Sequence, residues 1–165
     1  MSQRNVLVND NGVAQLCDFG FTRLKYETTP KSIADVAHVG SLRYLAPELF
    51  IQPSRCRTTQ ATDVYSCSMT MLQLGTLSEP FSEKYGHPWA AASAAQREER
   101  PEMPSNLAGL PDVATRALWG MLETMWAHNP AQRRSAAEVA SLLHKLGSLD
   151  QDGLEIIASE APPDG

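Results

Sequence analysis

One apolar run between Ala61 and Leu74 constrains the fold of this chain more than any other feature. Its large side chains leave almost no polar helical face, and the run stops at Gly75; they are Val64, Tyr65, Cys67, Met69, Met71, Leu72 and Leu74. A helix that is apolar nearly all round belongs inside a core. The sequence therefore predicts a domain packed around one central buried helix, and 165 residues suffice to bury such a core.

Three later segments predict helices around that centre. The alanine-rich stretch from Trp89 to Glu99 forms the first, and apolar residues spaced three and four apart from Val113 to Trp126 form the second. The last begins at Ser135, where a capping box with Glu138 is expected. Its predicted buried stripe consists of Val139, Leu142, Leu143 and Leu146.

A short hairpin precedes the helices. The β-favouring runs Asn5 to Val8 and Val13 to Leu16 flank an Asn11-Gly12 turn, and both turn residues tolerate positive φ. The following stretch from Phe21 to Gly40 is polar and lacks periodicity, which predicts a long irregular segment. Segments of this length are usually functional or disordered. The fold class is therefore mainly α, with one small hairpin near the N-terminus.

Composition excludes several classes of function. The net charge of −5 comes from the last 17 residues, which hold five acidic side chains and no Lys or Arg. The remaining chain is formally neutral, so no basic face suited to nucleic acid is expected. We expect residues 1–147 to form the domain and residues 148–165 to form an acidic, disordered tail.

Three cysteines without ligand spacing indicate reduced thiols and a cytoplasmic or nuclear location. The four histidines are scattered and receive no chemical role. No segment approaches the roughly 18 apolar residues that a membrane span requires. We therefore expect no membrane partner.

Three landmarks in order carry a family resemblance. They are Asn5-Val6-Leu7-Val8, Asp18-Phe19-Gly20 and Ala46-Pro47-Glu48, the last preceded by Gly40-Ser41-Leu42-Arg43-Tyr44-Leu45. Together they resemble the catalytic half of a protein kinase domain, and the resemblance covers Asn5 to about Leu146. It implies a kinase-like large C-terminal lobe, a helical bundle around a buried helix.

The resemblance assigns roles at the hairpin. Asn5 and Asp18 would hold Mg²⁺, Asp18 and Leu7 would contact the nucleotide, and Phe19 and Gly20 would complete the family's D-F-G motif. Leu7 would form the floor beneath the adenine, although an ordinary core leucine explains it equally. The family's base Asp precedes the Asn by five residues, which places it one position upstream of Met1, so no catalytic base is assigned. We expect ATP and Mg²⁺ binding by this chain alone to be negligible.

Two further motifs predict structural roles. Asp63-Val64-Tyr65-Ser66-Cys67-Ser68 resembles the family's D-V-x-S-x-G stretch, in which the Asp caps the catalytic-loop backbone; Asp63 as a plain helix N-cap remains the alternative. Ser68 replaces the usual Gly. The run from Trp126 to Ser135 resembles W-x-x-x-P-x-x-R-P, with Arg134 in place of the last Pro, and implies a buried pair between Arg133 and Glu48.

Asp18 to Glu48 would be the activation segment. Its candidate phosphorylation sites are Thr28, Thr29, Ser32 and Ser41, and for any single one of them an ordinary solvated loop hydroxyl is the favoured alternative. Ser41 stands where serine/threonine kinases usually have Thr, whereas Arg4-Asn5 is closer to tyrosine kinases. This mixture resembles the tyrosine-kinase-like group, most of which phosphorylate Ser and Thr.

Three interpretations of function remain open. The first is part of a kinase that transfers the ATP γ-phosphate to Ser or Thr, or to Tyr, of a protein substrate, and that is inactive as this isolated chain because the small lobe is not matched. The second is a non-catalytic, pseudokinase-like module that binds a partner kinase or a substrate. The third is an unrelated helical protein.

Overall fold

The structure is a computed structural model that describes residues 5–17, 39–51, 58–105, 107 and 109–148. Seven regular elements and two 3-10 helices follow one another along these residues: β1 (Val6–Val8), β2 (Ala14–Leu16), a 3-10 helix (Val39–Tyr44), α1 (Glu48–Ile51), α2 (Gln60–Thr76), α3 (Pro88–Gln96), α4 (Asp112–Met125), a 3-10 helix (Pro130–Gln132) and α5 (Ala136–Ser148). The mainly helical class with one hairpin is confirmed. The expected tail at 148–165 lies almost wholly outside the described residues.

Helix α2 is the centre of the core, as its sequence predicts. Tyr65 and Met69 are fully buried within the main apolar cluster, to which α3, α4 and α5 also contribute. Thr59 and Thr62 form a reciprocal capping box at the start of the helix. The N-cap alternative for Asp63 is therefore wrong, because this box starts the helix one turn earlier and leaves Asp63 exposed within the first turn.

The hairpin pairs β1 and β2 antiparallel, with Val6 opposite Leu16 and Val8 opposite Ala14. Its turn differs from the expected Asn-Gly geometry, since only Gly12 adopts positive φ, at 76°. The Asn9 carbonyl accepts from the Gly12 N–H at 2.9 Å, and the Asn9 side chain accepts from the N–H groups of Asn11 and Val13. The turn is a three-residue loop with one residue in the left-handed conformation. The side-chain oxygen of Asn9 stabilises it through the two hydrogen bonds that it accepts.

Helix α3 ends at Gln96, three residues before the predicted end. Glu98 takes a left-handed conformation with φ 66°, which stops the helix. The Glu99 carboxylate then accepts hydrogen bonds from Tyr85, Arg97 and Lys84. These side-chain contacts favour a turn over continued helix.

Helix α5 begins with the expected capping box. The Ser135 N–H donates to the Glu138 carboxylate at 2.7 Å, and the Glu138 N–H donates to the Ser135 hydroxyl at 3.3 Å. The expected buried stripe is only partly correct: Val139 is buried, but Leu143 is 39% exposed. Helix α5 packs mainly on α4, so it buries a narrower face than its sequence offers.

Candidate active site

A backbone hydrogen bond joins the two ends of the hairpin. The Cys17 N–H donates to the Asn5 carbonyl at 2.9 Å, which extends the β1–β2 ladder by one pair. Asn5 is half-buried. Asp18 is the next residue after Cys17 in the sequence, and its own position lies outside the described residues.

Leu7 lies on the hairpin and is 57% exposed. It belongs to neither apolar cluster of the described residues. The ordinary core-leucine interpretation therefore does not hold here. An exposed apolar side chain two residues along β1 from Asn5 remains available to a flat apolar ligand.

Most other predicted site residues lie outside the described part of the chain. These are Asp18, Phe19, Gly20, Thr28, Thr29 and Ser32. The backbone of Ser41 belongs to the 3-10 helix Val39–Tyr44, but its side chain is not described. The metal, nucleotide and phosphorylation roles of these residues stay predictions.

The segment from Leu42 to Phe50 is packed against both α2 and α3. Leu42, Tyr44, Ala46 and Leu49 are all buried. The Ser66 hydroxyl donates to the Tyr44 carbonyl at 2.8 Å, and the Tyr44 hydroxyl donates to the Gln73 side chain. The end of the predicted activation segment therefore rests on the central helix.

Glu48 and Arg133 form a buried bidentate ion pair, in which Arg133 Nη1 and Nη2 each lie 2.7 Å from one carboxylate oxygen. The other three N–H groups of the guanidinium donate to the carbonyls of Ala61, Ala127 and His128. All five donors of Arg133 are therefore satisfied. The structure brings together the two residues that the sequence pairs by resemblance.

Tyr65 lies beneath this pair. The Arg133 guanidinium carbon is 5.1 Å from the centre of the Tyr65 ring. The phenol is fully buried, and its hydroxyl has no hydrogen-bond partner within the described residues. Burial raises the pKa of Tyr65 to about 12, since ionisation there would place a charge in the core.

Arg43 is a supporting residue that sequence reasoning missed. Its buried guanidinium donates to the carbonyls of Pro80, Tyr85 and Gly86 at 2.8 to 2.9 Å. Its Nε also lies 3.0 Å from a Glu79 carboxylate oxygen. The signal was a single cation within the apolar run Leu42–Ala46, where a buried charge must find acceptors.

Arg43 thus joins the 3-10 helix before α1 to the connection between α2 and α3. In this way one side chain satisfies three backbone acceptors that belong to a loop without regular pairing.

Three residues of the D-V-x-S-x-G stretch have distinct surroundings. Asp63 is exposed, and the catalytic-loop backbone that it would cap lies outside the described residues. The Ser68 hydroxyl, which replaces the family's Gly hydrogen, is buried and donates to the Tyr65 carbonyl at 2.7 Å. Cys67 is half-buried against the main apolar cluster, and burial raises the pKa of its thiol, which lowers the thiolate fraction.

The donor types at the hairpin fit magnesium. Asn5 would supply an amide oxygen and Asp18 would supply a carboxylate, and hard cations prefer such ligands. Within the described residues no group of three or more His, Cys, Asp or Glu side chains is arranged to hold a metal. The fit therefore depends on Asn5 and Asp18.

Comparisons with known proteins agree with these observations. The family model described as the protein kinase domain matches residues 1–144. The chain belongs to the protein kinase domain family.

Several curated kinases are similar to this chain. The serine/threonine/tyrosine-protein kinase HT1 of Arabidopsis thaliana is 25% identical over 94% of this chain and 36% of its own length. The dual specificity protein kinase shkB of Dictyostelium discoideum is 30% identical over 82% of this chain and 19% of its own. The serine/threonine-protein kinase CTR1 of Arabidopsis thaliana is 30% identical over 86% and 16%.

This chain therefore spans at most about a third of the length of these relatives. Members of the family use ATP and Mg²⁺. Among the described helices, none is both long and apolar enough to cross a bilayer.

Proposed function

We propose that this chain supplies the large-lobe part of a kinase that transfers the γ-phosphate of ATP to hydroxyl groups of proteins. The observation that carries the proposal is the closed hairpin, in which the backbone of Asn5 is hydrogen-bonded to that of Cys17, the neighbour of Asp18. A closed hairpin returns the chain at Cys17 to the side of Asn5, and Asp18 is the next residue in the sequence. The retained Asn5 and Asp18 favour the enzyme over a non-catalytic module.

In this proposal Mg²⁺ neutralises charge on the phosphates when bound. The chain contributes orientation: Asn5 and Asp18 present oxygens to the cation, and Leu7 offers an apolar surface to the adenine. The Glu48–Arg133 pair belongs to neither the predicted metal site nor the predicted nucleotide site. It holds α1, which follows the predicted activation segment, on the helical core, and in this proposal α1 supports the surface on which a substrate peptide would lie.

The proposed acceptors are Ser and Thr hydroxyls. Ser41 stands at the position where serine/threonine kinases usually have Thr, and the relatives' names include serine/threonine and dual specificity kinases. Transfer to Tyr is the second acceptor to test. A cytoplasmic location, in keeping with the reduced thiols, is part of the same proposal.

The first test is the coding sequence directly before Met1. An in-frame His-Arg-Asp there, following a Lys-bearing small lobe, would supply the base and nucleotide clamp that the family uses. A stop codon in that place would contradict the enzyme and favour the module.

The second test uses the polypeptide extended by that sequence. We expect Asp18→Asn and Asn5→Ala each to lower phosphate transfer to a Ser/Thr peptide mixture by about 100-fold or more, because each removes a metal ligand. The matched control is Asp10→Asn in the exposed hairpin turn, which should leave transfer unchanged. Binding of Mn²⁺, followed by electron paramagnetic resonance, should fall in parallel with transfer only in the two site variants.

For the 165-residue chain alone, we expect Mg²⁺-ATP to leave the melting temperature unchanged. A ligand stabilises a fold only when it binds the folded state. A shift that disappears in Asp18→Asn would show that the isolated chain already holds the nucleotide, and would contradict this expectation.

A further inference from the structure

An open groove of about 730 Å³ lies away from the residues of the candidate active site. Its walls are the last turn of α2, the connection that follows it and the stretch around residues 101–104. This volume lies within the range of roughly 300 to 1,000 Å³ that is typical of binding clefts. None of the residues assigned to metal or nucleotide lines it.

The groove exposes large apolar side chains. Leu74, Leu77 and Met103 are 51%, 89% and 44% exposed, respectively, and all three line it. Three such side chains around one depression form an apolar surface rather than scattered exposed residues. Surfaces of this kind mark sites where another molecule packs.

Leu77 is also unfavourable in its backbone. It adopts φ 57° as the cap residue that follows α2, where its N–H donates to the Gln73 carbonyl at 2.8 Å. Glycine or asparagine is the usual choice for this conformation. A leucine that is both left-handed and almost fully exposed destabilises the free chain, which a role in binding would explain.

Acidic side chains also line the groove. Glu79, Glu83 and Glu102 line the groove, and none of its lining residues is Lys or Arg. The Glu79 carboxylate is paired with Arg43. Within the described part of the chain, neither Glu83 nor Glu102 has an ion-pair partner, so both are available to an incoming cation.

We propose that this groove binds a segment of a partner protein in which Lys or Arg side chains alternate with large apolar ones. The apolar side chains would cover Leu74, Leu77 and Met103, and the cations would meet Glu83 and Glu102. The acidic stretch 149–165 of this chain is not the occupant, because its five acidic residues would face the same charge. The site is independent of phosphate transfer, so its failure would not affect the proposed function.

The test uses the 165-residue chain and two fluorescein-labelled twelve-residue peptides. One alternates Leu with Lys, and the other alternates Leu with Glu. Fluorescence anisotropy should show binding of the Leu-Lys peptide that weakens as salt is raised, and negligible binding of the Leu-Glu peptide. Equal binding of the two peptides, or no binding of either, would overturn the proposal.

Two variants separate charge from shape. Glu83→Lys with Glu102→Lys should weaken binding of the Leu-Lys peptide by about ten-fold, since two attractions become repulsions. The matched control, Asp150→Lys with Asp152→Lys, makes the same change of net charge in the acidic stretch and should leave affinity within about two-fold. Equal loss in both double variants would reduce the effect to net charge and refute the site.

Leu77→Gly gives the second, independent readout. The substitution relieves the left-handed strain and removes the exposed side chain, so the melting temperature should rise or stay constant while peptide affinity falls several-fold. Val13→Ser on the exposed hairpin controls for general loss of apolar surface and should not change affinity. If Leu77→Gly instead abolished self-association of the chain, a second copy would be the occupant and the proposal would be wrong.

Discussion

Arg133 donates from two nitrogens to the two carboxylate oxygens of Glu48, 85 residues away in the sequence, with both distances at 2.7 Å. The arginine side chain is fully shielded from water, whereas the Glu48 side chain is 24% exposed. Burial of a guanidinium removes its hydration at a large cost in free energy. Each of its N–H groups therefore needs an acceptor within the protein. The pair therefore stabilises the domain because every N–H group of Arg133 has an acceptor, and not through charge alone.

Arg133→Ala is expected to destabilise the domain by about 3 to 5 kcal/mol, because it leaves the Glu48 carboxylate partly buried without a counter-charge. Arg133→Lys should recover only part of this loss, since an ammonium cannot reproduce the fork. Urea titration followed by circular dichroism measures both. The neighbouring Arg134→Ala, on an exposed side chain, is the control and should change stability by less than about 0.5 kcal/mol. Equal midpoints for Arg133→Ala and Arg134→Ala would contradict the prediction.

Loss of the Arg43 side chain should destabilise the domain more than loss of the Glu79 charge. Arg43→Met leaves the carbonyls of Pro80, Tyr85 and Gly86 without this donor, and each such acceptor costs about 1 to 3 kcal/mol when it stays buried. Glu79→Gln removes the charge of a half-exposed side chain but keeps an amide oxygen that can accept from the guanidinium, so it should cost less than about 1 kcal/mol. Thermal melts of both variants give the order. The reverse order would show that the ion pair dominates.

Tyr65 predicts a loss of stability in alkali. Its pKa is raised to about 12 in the folded state by burial, against 10.0 for the ordinary phenol. Between these values the unfolded chain releases the proton and the folded chain does not, so stability falls as pH rises, by about 2 to 3 kcal/mol in all. Below pH 10 both states are protonated and no change is expected from this group.

Tyr65→Phe isolates that contribution. Chemical denaturation from pH 9 to 12 should show a shallower fall for the variant than for the parent chain. At neutral pH the variant should match or exceed the parent in stability, because the lost hydroxyl has no partner within the described residues. Parallel pH curves for the two proteins would contradict the raised pKa.

Gly12→Ala tests the turn that the structure shows. The φ of 76° strains any residue with a Cβ, so we expect a loss of about 1 kcal/mol, measured by thermal denaturation. Gly86→Ala is the control: its φ is not in the left-handed range and a Cβ there would meet no atom within 4 Å. That variant should be neutral or slightly stabilised. An equal loss at both positions would remove the special role of Gly12.

Much of the helical framework follows from the sequence. The central helix could be predicted because its apolar residues leave almost no polar face, and α5 because Ser135 and Glu138 form a local capping signal. The pairing of Glu48 with Arg133 was available only through resemblance. No local pattern connects two residues so far apart.

The features in which the structure differs from the sequence-based predictions have physical causes outside the local sequence pattern. The position of the N-cap at Thr59 depended on a Thr-Thr box, where Asp63 was the more obvious candidate. The exposure of Leu143 depends on how much of α5 its neighbours cover, which is a tertiary property. The acidic groove likewise joins residues near 74–83 to residues near 102, and only packing brings them together.

The contact between Glu48 and Arg133 also determines when, during synthesis, the domain can complete its folding. A ribosome that adds roughly 5 to 20 residues per second needs roughly 4 to 17 seconds to make the 85 residues between them. Throughout that interval the nascent Glu48 carboxylate lacks its guanidinium partner, and α1 lacks the ion pair that ties it to the segment before α5. The native lobe can therefore close only after Arg133 has left the exit tunnel, so nascent chains that stall before that point would be substrates for chaperones.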